Sequence, residues 1–277
     1  MDASAASVPD RQPTVDIRAL TRRFGAFTAV DGATITVNQG EIFGLIGPNG
    51  AGKSTLIKML TTLLPPSSGS ASVAGYDIVR EPAQVRRRIG YVPQLLSADG
   101  SLTGTENLLL SARLYGVPRR ERASRISAAL ARMQLTEAAD HLVGRYSGGM
   151  IRRLEIAQSL LHRPLVLFLD EPTVGLDPGA REAVWERVLD LRASFRTTMI
   201  VTSHHLEEMD EFCDRIALID RGRIAAIGTP AELKARVGPD ATLDDVFIRL
   251  VAAAGETEAK GSYGDVKRAR RAEREHG

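Results

Sequence analysis

Apolar and polar positions alternate at the start of the chain, and the rhythm then changes several times. Residues 15–20 (Val-Asp-Ile-Arg-Ala-Leu) and 33–37 (Ala-Thr-Ile-Thr-Val) repeat every second position, which predicts half-buried antiparallel strands. Residues 42–46 (Ile-Phe-Gly-Leu-Ile) are continuously apolar and run into glycines, as a strand covered on both faces would. A helix is expected over 55–64, stopped by Pro65-Pro66.

From about residue 100 to 160 the pattern is helical. Thr103-Gly104-Thr105-Glu106 has the form of a capping box ahead of Leu109, Leu110 and Leu114, and Gly116 with Pro118 closes that helix. Ile126, Ala129, Leu130 and Met133 recur at helical spacing and read as core, not as a ligand box. Strands and helices alternate afterwards. Residues 166–169 and 198–202 read as strands, and 181–193 as a helix with Val184, Val188 and Leu191 turned inward and Trp185 packing beside them. Residues 216–219 and 224–227 flank Asp220-Arg221-Gly222-Arg223, a hairpin signal, and Thr229-Pro230-Ala231-Glu232 caps a last short helix. The pattern is α/β, with no internal repeat.

Composition narrows the function classes. At 277 residues with 43% hydrophobic content the chain can bury a substantial core, and a formal net charge of +2 argues against a strongly electrostatic nucleic-acid binder. Cys213 is alone, so no intrachain disulfide forms; a reducing compartment and a role as a small core residue fit it. No apolar run approaches the ~20 residues that span a bilayer. Residues 1–13 lack the features of a secretion signal and read as a short disordered leader. Residues 251–277 mix Lys267, Arg268, Arg270, Arg271 and Arg274 with Glu273 and Glu275, which suggests a disordered basic tail, with a membrane-surface or partner-binding arm as the alternative.

The candidate chemistry begins at Gly47-Pro48-Asn49-Gly50-Ala51-Gly52-Lys53-Ser54-Thr55, which matches the phosphate-loop pattern between an expected strand and helix. Its glycines let backbone N–H groups turn inward around a phosphate, and the helix N-terminus adds its dipole. Lys53 would bridge β- and γ-phosphates while the Ser54 hydroxyl ligates Mg²⁺. Asp170 and Glu171 end an apolar strand, where ligands of open α/β sheets gather. There Asp170 would hold the magnesium through its water shell and Glu171 would deprotonate an attacking water, unless the two acids merely cap the next turn. These motifs alone define a nucleotide triphosphatase.

Further residues are needed for a family. Gln94 follows Tyr91-Val92-Pro93; Tyr146-Ser147-Gly148-Gly149-Met150 opens a helix before the acidic strand; Gly175-Leu176-Asp177 follows it; His204 and His205 precede Glu207-Glu208. Together these resemble the ATP-binding cassette family over about residues 14–250. The resemblance implies a P-loop NTPase (RecA-like) core, an antiparallel β subdomain and an α-helical signature subdomain at about 95–160. It implies ATP and Mg²⁺ as cofactors. Gln94 becomes the lid glutamine sensing Mg²⁺ and γ-phosphate, Ser147, Gly148 and Gly149 the signature turn that meets the nucleotide of a second copy, and Asp177 part of the loop crossing the dimer interface. The family's order of residues selects His204, not His205, as the switch histidine. Phe24 falls where the family stacks an aromatic ring on adenine, although a core phenylalanine fits the sequence equally well. The family's commonest signature begins with Leu and ends with Gln, where this chain has Tyr146 and Met150.

The run 146–155 and Thr242-Leu243-Asp244-Asp245-Val246-Phe247 look like the drug- and glycolipid-exporting branch. That branch implies docking under a separately encoded permease, near residues 94–105, at the cytoplasmic face of the membrane. The competing reading is a soluble cassette ATPase acting on ribosomes or DNA; only about ninety residues separate Thr55 from Tyr146, with no heptad run, and one cassette is present, which fits that reading poorly. A pure binding module is the third, disfavoured by Glu171 and His204.

Overall fold

The continuous apolar runs become the middle strands of a six-stranded sheet, and the alternating runs become a separate antiparallel sheet laid against it. In the computed structural model, which describes residues 13–255, the strands are β1 (Pro13–Phe24), β2 (Phe27–Asn38), β3 (Ile42–Ile46), β4 (Ser68–Val73), β5 (Tyr76–Asp77), β6 (Ile89–Val92), β7 (Val166–Asp170), β8 (Thr198–Ser203), β9 (Arg215–Asp220) and β10 (Arg223–Gly228). The antiparallel sheet has the order β2-β1-β4-β5, and the larger one the order β10-β9-β3-β8-β7-β6, parallel except for the hairpin partner β10. The helices are α1 (Lys53–Leu60), α2 (Pro82–Arg86), α3 (Gly104–Leu114), α4 (Arg119–Arg132), α5 (Gly148–Leu160), α6 (Pro178–Phe195), α7 (Leu206–Phe212), α8 (Pro230–Ala235) and α9 (Leu243–Gly255).

The parallel strands divide their side chains between two cores. Phe43, Leu45, Phe168 and Ile200 face β1, β2 and α1, whereas Ile42, Ile46, Leu167, Leu169 and Val201 face the helices on the other side. Both faces being covered explains why these strands read as unbroken apolar runs. The helical layer contributes Leu108, Ile126, Leu130, Met133, Leu154 and Ile156 to the second core. Periodicity selected Ile126, Leu130 and Met133 among these, whereas on α3 it is Leu108 that is buried while Leu110 and Leu114 are 46% and 78% exposed. Thr103 caps α3 with the expected reciprocal box, its hydroxyl accepting the Glu106 N–H while Glu106 accepts the Thr103 N–H. The same box, Thr229 with Glu232, opens α8.

Several elements depart from the sequence reading. The helix expected over 55–64 starts at Lys53 and ends at Leu60, because Thr62 adopts a left-handed φ of 63° and the N–H groups of Leu63 and Leu64 both turn back to the Lys58 carbonyl. β4, with the sequence Ser-Gly-Ser-Ala-Ser-Val, has turn-like composition and is made a strand by its ladder with β1. β1 already contains Pro13, and α9 continues past residue 250 to Gly255, the last described residue, through Val251-Ala252-Ala253-Ala254, whose alanines favour a helix. The rest of the expected leader and tail lies outside the described residues.

Trp185, on α6, is 2% exposed and stacks on Phe212 of α7 with ring centroids 4.5 Å apart. This contact fixes α6 and α7, the helices that follow β7 and β8. Trp185→Ala is expected to cost about 3–5 kcal/mol of unfolding free energy, read from urea denaturation followed by circular dichroism, since the variant has no tryptophan left to report. A loss under ~1 kcal/mol would mean the site collapses around the deletion.

Candidate functional site

The parallel register brings the carboxyl ends of three strands level: Ile46 of β3 lies opposite Ser203 of β8, and Thr202 lies opposite Asp170 of β7. The phosphate loop, the acid pair and His204 all hang from that edge. From Ile46 the chain turns through Gly47–Gly52 into α1. Two of these glycines are obligatory: a Cβ on Gly47 would stand 2.2 Å from the Ile219 carbonyl oxygen, and one on Gly52, at φ +107°, would stand 2.4 Å from the Ala29 carbonyl oxygen. Pro48, Asn49, Gly50 and Ala51 form the exposed crest and its return, with the Ala51 N–H donating to the Pro48 carbonyl at 3.1 Å. The loop is braced from outside as well. Gly222 donates its N–H to the Ala51 carbonyl at 2.9 Å and accepts the Asp31 N–H at 2.8 Å, so the hairpin read only as a turn between β9 and β10 supports the phosphate loop.

Lys53 is the first residue of α1 and is 6% exposed. Its ammonium donates to the carbonyls of Gly47 at 2.7 Å and Pro48 at 3.3 Å and lies 3.6 Å from Glu171 Oε1. Ser54 Oγ donates to Asp170 Oδ1 at 3.2 Å, and Thr55 follows on the same turn. The first N–H groups of α1 have no partner within the helix and point along its axis into the space ahead of it, an arrangement suited to phosphate oxygens.

The acid pair is held from β8. Thr202 Oγ1 donates to Asp170 Oδ1 at 2.6 Å, and the Glu171 N–H donates to Thr202 Oγ1 at 2.9 Å and to its carbonyl at 3.1 Å. Glu171 stands at a φ of 53°, a conformation that costs a non-glycine residue about 1 kcal/mol or more and that aims its carboxylate back over the loop. One carboxylate oxygen faces Lys53, and the other meets His204 Nδ1 at 2.5 Å. His205 instead occupies the N-cap position of α7 without a side-chain cap bond and tilts against the His204 ring at 4.3 Å; burial and the neighbouring His204 hold its basicity below the usual histidine range. The geometry thus separates the two histidines. Burial, and after it the Asp170 charge, push the Tyr91 phenol on β6 up to about 12, so it stays neutral beside the pair. Thr202 and Gly222 were not singled out in the sequence; their roles rest on partners about thirty and 170 residues away.

The remaining predicted residues stand apart from this cluster. Gln94 follows Val92, which pairs with Leu169, so it emerges at the same sheet edge with its side chain exposed. Phe24 ends β1 and is 46% exposed under the Arg22 guanidinium, 4.6 Å from its ring centroid, which rules out the core reading. Its hairpin leads through Thr28 to Ala29, the residue pressed on Gly52, so the ring sits at the loop's end of the antiparallel sheet.

Ser147, Gly148 and Gly149 open α5 in the helical layer, with Ser147 as N-cap accepting the Met150 N–H at 3.3 Å. A Cβ on Gly149 would stand 2.7 Å from Ala180 Cβ, and one on Gly148 would touch Leu176 at 3.4 Å. The turn is therefore seated on the segment that contains Asp177, itself the N-cap of α6, accepting the Ala180 N–H at 2.9 Å. Tyr146, where the common signature has Leu, is buried and donates its hydroxyl to the Ala138 carbonyl at 2.6 Å. Met150 is half-buried and packs on the core.

A glycine loop with a buried lysine, a serine beside a strand-end aspartate, and a glutamate held by a histidine on an open parallel sheet define a P-loop nucleotide triphosphatase. The helical layer with its own glycine turn narrows the class. Residues 30–174 match the model of the ABC transporter family. The chain is 46% identical over 229 residues to the daunorubicin/doxorubicin resistance ATP-binding protein DrrA of Streptomyces peucetius, covering 82% of this chain and 69% of that protein. It is 42% identical over 221 residues to the linearmycin resistance ATP-binding protein LnrL of Bacillus subtilis (strain 168), covering 80% and 71%. Among solved structures, an ATP-binding subunit of an ABC transporter superposes with a TM-score of 0.77 at 30% identity, covering 86% of this chain and 99% of that one. The dimeric, post-hydrolysis cassette MJ0796 bound to ADP and Pi superposes with a TM-score of 0.70 at 25% identity, over 78% and 98%. The chain belongs to the ABC transporter family. It is an ATP-binding, ATP-hydrolysing subunit of the transport-associated kind, and the ribosomal and DNA-acting alternatives are set aside.

Thr202→Val keeps the shape of the strand and removes the two hydrogen bonds made by the hydroxyl, leaving the Glu171 N–H on the Thr202 carbonyl. ATP turnover is expected to fall ~10–10²-fold, the order that a small misplacement of catalytic groups costs, in a protein whose circular dichroism is unchanged. Parent-like turnover would show that the pair holds its place without Thr202.

Proposed function

We propose that this ATPase works as one half of a nucleotide-sandwich dimer that drives a separately encoded membrane permease, exporting a drug or a glycolipid- or polyketide-like compound. The observation that carries the reading is the division of the predicted residues into two sets. Lys53, Ser54, Asp170, Glu171 and His204 converge at one sheet edge, while the exposed Ser147, Gly148 and Asp177 form a second surface with no hydrogen bond to the first among the described residues. Two copies placed head to tail would let each signature turn reach the nucleotide on its partner's loop.

In that assembly the loop N–H groups and Lys53 bind the β- and γ-phosphates of ATP, and Phe24 stacks on adenine. Glu171 takes a proton from the water that attacks the γ-phosphorus, and the ADP oxygen departs as the leaving group. His204, tied to Glu171 through Nδ1, leaves Nε2 for the γ-phosphate. Ser54 and Asp170, with Gln94 near the same edge, suit Mg²⁺, which takes one or two protein oxygens and completes its shell with water and phosphate. Among the described residues there is no cluster of three or more His, Cys, Asp or Glu that would make a self-sufficient metal cage. Bound there, Mg²⁺ would offset the charge developing on the phosphates.

The permease enters through membership of the ABC transporter family; no helix among the described residues is long and apolar enough to cross a membrane. Leu95 and Leu96, 82% and 50% exposed beside Gln94, offer a partner an apolar contact at the lid. The named drug-resistance relatives support the substrate class.

Glu171→Gln should bind ATP and accumulate as a dimer while hydrolysis falls about 10²–10⁴-fold, measured by nucleotide binding, size exclusion with ATP and phosphate release. Parent-like turnover would remove Glu171 from the reaction. Ser147→Arg should keep ATP affinity at its own loop yet lose turnover, and mixing it with Lys53→Ala should restore one competent composite site. Lost ATP binding in Ser147→Arg alone would contradict the division into two surfaces.

A further inference from the structure

Outside the phosphate site, the most deeply buried ionic group is the pair Arg152 and Glu155 on α5, 2% and 3% exposed. Each member bonds to the segment 93–97, and the two also bond to each other. Arg152 donates to the Pro93 carbonyl at 2.7 Å, to the Gln94 carbonyl at 2.8 Å and to Glu155 Oε2 at 3.0 Å. Glu155 Oε1 accepts both the Ser97 N–H and, at 3.0 Å, the Ser97 hydroxyl. The pair lies one and two turns beyond the Ser147-Gly148-Gly149 cap on the same helix. On its other side the segment is anchored to α3: the Asn107 carboxamide accepts the Asp99 N–H at 3.0 Å and donates to the Asp99 carbonyl at 2.9 Å. Between these anchors Leu95 and Leu96 are exposed.

A buried ion pair is weak evidence for stability, since well-packed apolar residues of similar volume commonly do as well. What apolar residues cannot do is hold named backbone groups of an otherwise irregular segment. The guanidinium fork matches two successive carbonyls, and a lysine ammonium would not.

We infer that Arg152 and Glu155 are positioning residues for ATP turnover: they clamp residues 93–97 to the signature helix, so that Gln94 and the signature turn move as one rigid body. A displacement of the turn by a partner's nucleotide then shifts Gln94 and the exposed leucines with it. The inference rests on the reading of Gln94 as a lid residue. Tyr146 contributes a second fixed point by binding the Ala138 carbonyl, which keeps the start of α5 against the helical layer.

The test is the double variant Arg152→Met/Glu155→Met in the full chain, which removes the clamp without stranding a buried charge. A nitroxide on Leu95→Cys reports the segment, because the sole native thiol, Cys213, is buried and its thiolate strongly disfavoured there. Expected are a thermal midpoint near the parent's, ATP affinity within about twofold, turnover lower by ~10–10²-fold, and a label whose mobility rises. Arg152→Lys should show the same kcat loss at unchanged KM, and Glu155→Gln, which can still accept from Ser97, a smaller one. Parent-like turnover or an unchanged label in the double variant would overturn the clamp, as would loss of ATP binding, which would make the pair an ordinary fold element. Parent-like turnover in Gln94→Ala would overturn the lid reading instead, a failure separable from that of the clamp because the label still reports it.

Discussion

Asp170 and Glu171 place two carboxylates side by side at the end of a strand whose other residues are apolar and covered on both faces, and the site is arranged around offsetting that charge. An uncompensated buried carboxylate costs several kcal/mol. Here Asp170 receives the hydroxyls of Thr202 and Ser54, while Glu171 receives Lys53 on one oxygen and His204 on the other. The four compensating groups arrive from three elements: Lys53 and Ser54 from α1, Thr202 from β8 and His204 from the turn after β8. The charge pair therefore gathers the ends of separate elements at the open edge of a parallel sheet, and that gathering is what makes the edge reactive. Phosphates brought to the loop enter a place where ammonium, hydroxyl and imidazole groups are already fixed.

Other strong restraints act through backbone close approach. Gly47 and Gly52 admit the carbonyls of Ile219 and Ala29 within distances no side chain would tolerate, and Gly222 ties the loop to β2. The antiparallel sheet is thus part of the phosphate loop's wall, and it carries Phe24 at the same end. This explains why a subdomain far from the acid pair in sequence belongs to the same site.

The legibility of the sequence follows the range of the interactions. The phosphate loop was readable because its turn, lysine and serine are contiguous, and the acid strand because four apolar residues precede two acids. The α3 and α8 caps were readable because a capping box spans four residues. β4 was not, since Ser-Gly-Ser-Ala-Ser-Val has no strand propensity and owes its conformation to Val15, Ile17 and their neighbours on β1. The early end of α1 was missed because a left-handed Thr62 has no composition signal. Thr202 and the Arg152–Glu155 pair were passed over for the same reason: their partners lie 32 and 58 residues away, and Ser-Thr or Arg-Glu content alone says nothing of them. A buried arginine in a helix otherwise patterned for the core was the available signal, and it required knowing which face was covered.

Gly149 shows how a motif can be right for more than one reason. The resemblance explains the glycines of the signature turn by access to a phosphate, yet Ala180 on α6 already excludes any larger residue at 149. Gly148, touching only Leu176 at ordinary contact distance, is the one left to face outward. The turn and the Asp177 cap are therefore packed as one unit, so a change in the position of α6 must move both surfaces assigned to the dimer contact. Since α6 leaves the segment that begins at Glu171, and Thr173 donates to the buried Glu208 on α7 at 2.8 Å, that unit is joined through a short covalent path to Glu171, the proposed general base. In the proposed sandwich dimer, hydrolysis at one copy's own loop and the grip on its partner's nucleotide would thereby be mechanically connected within a single chain.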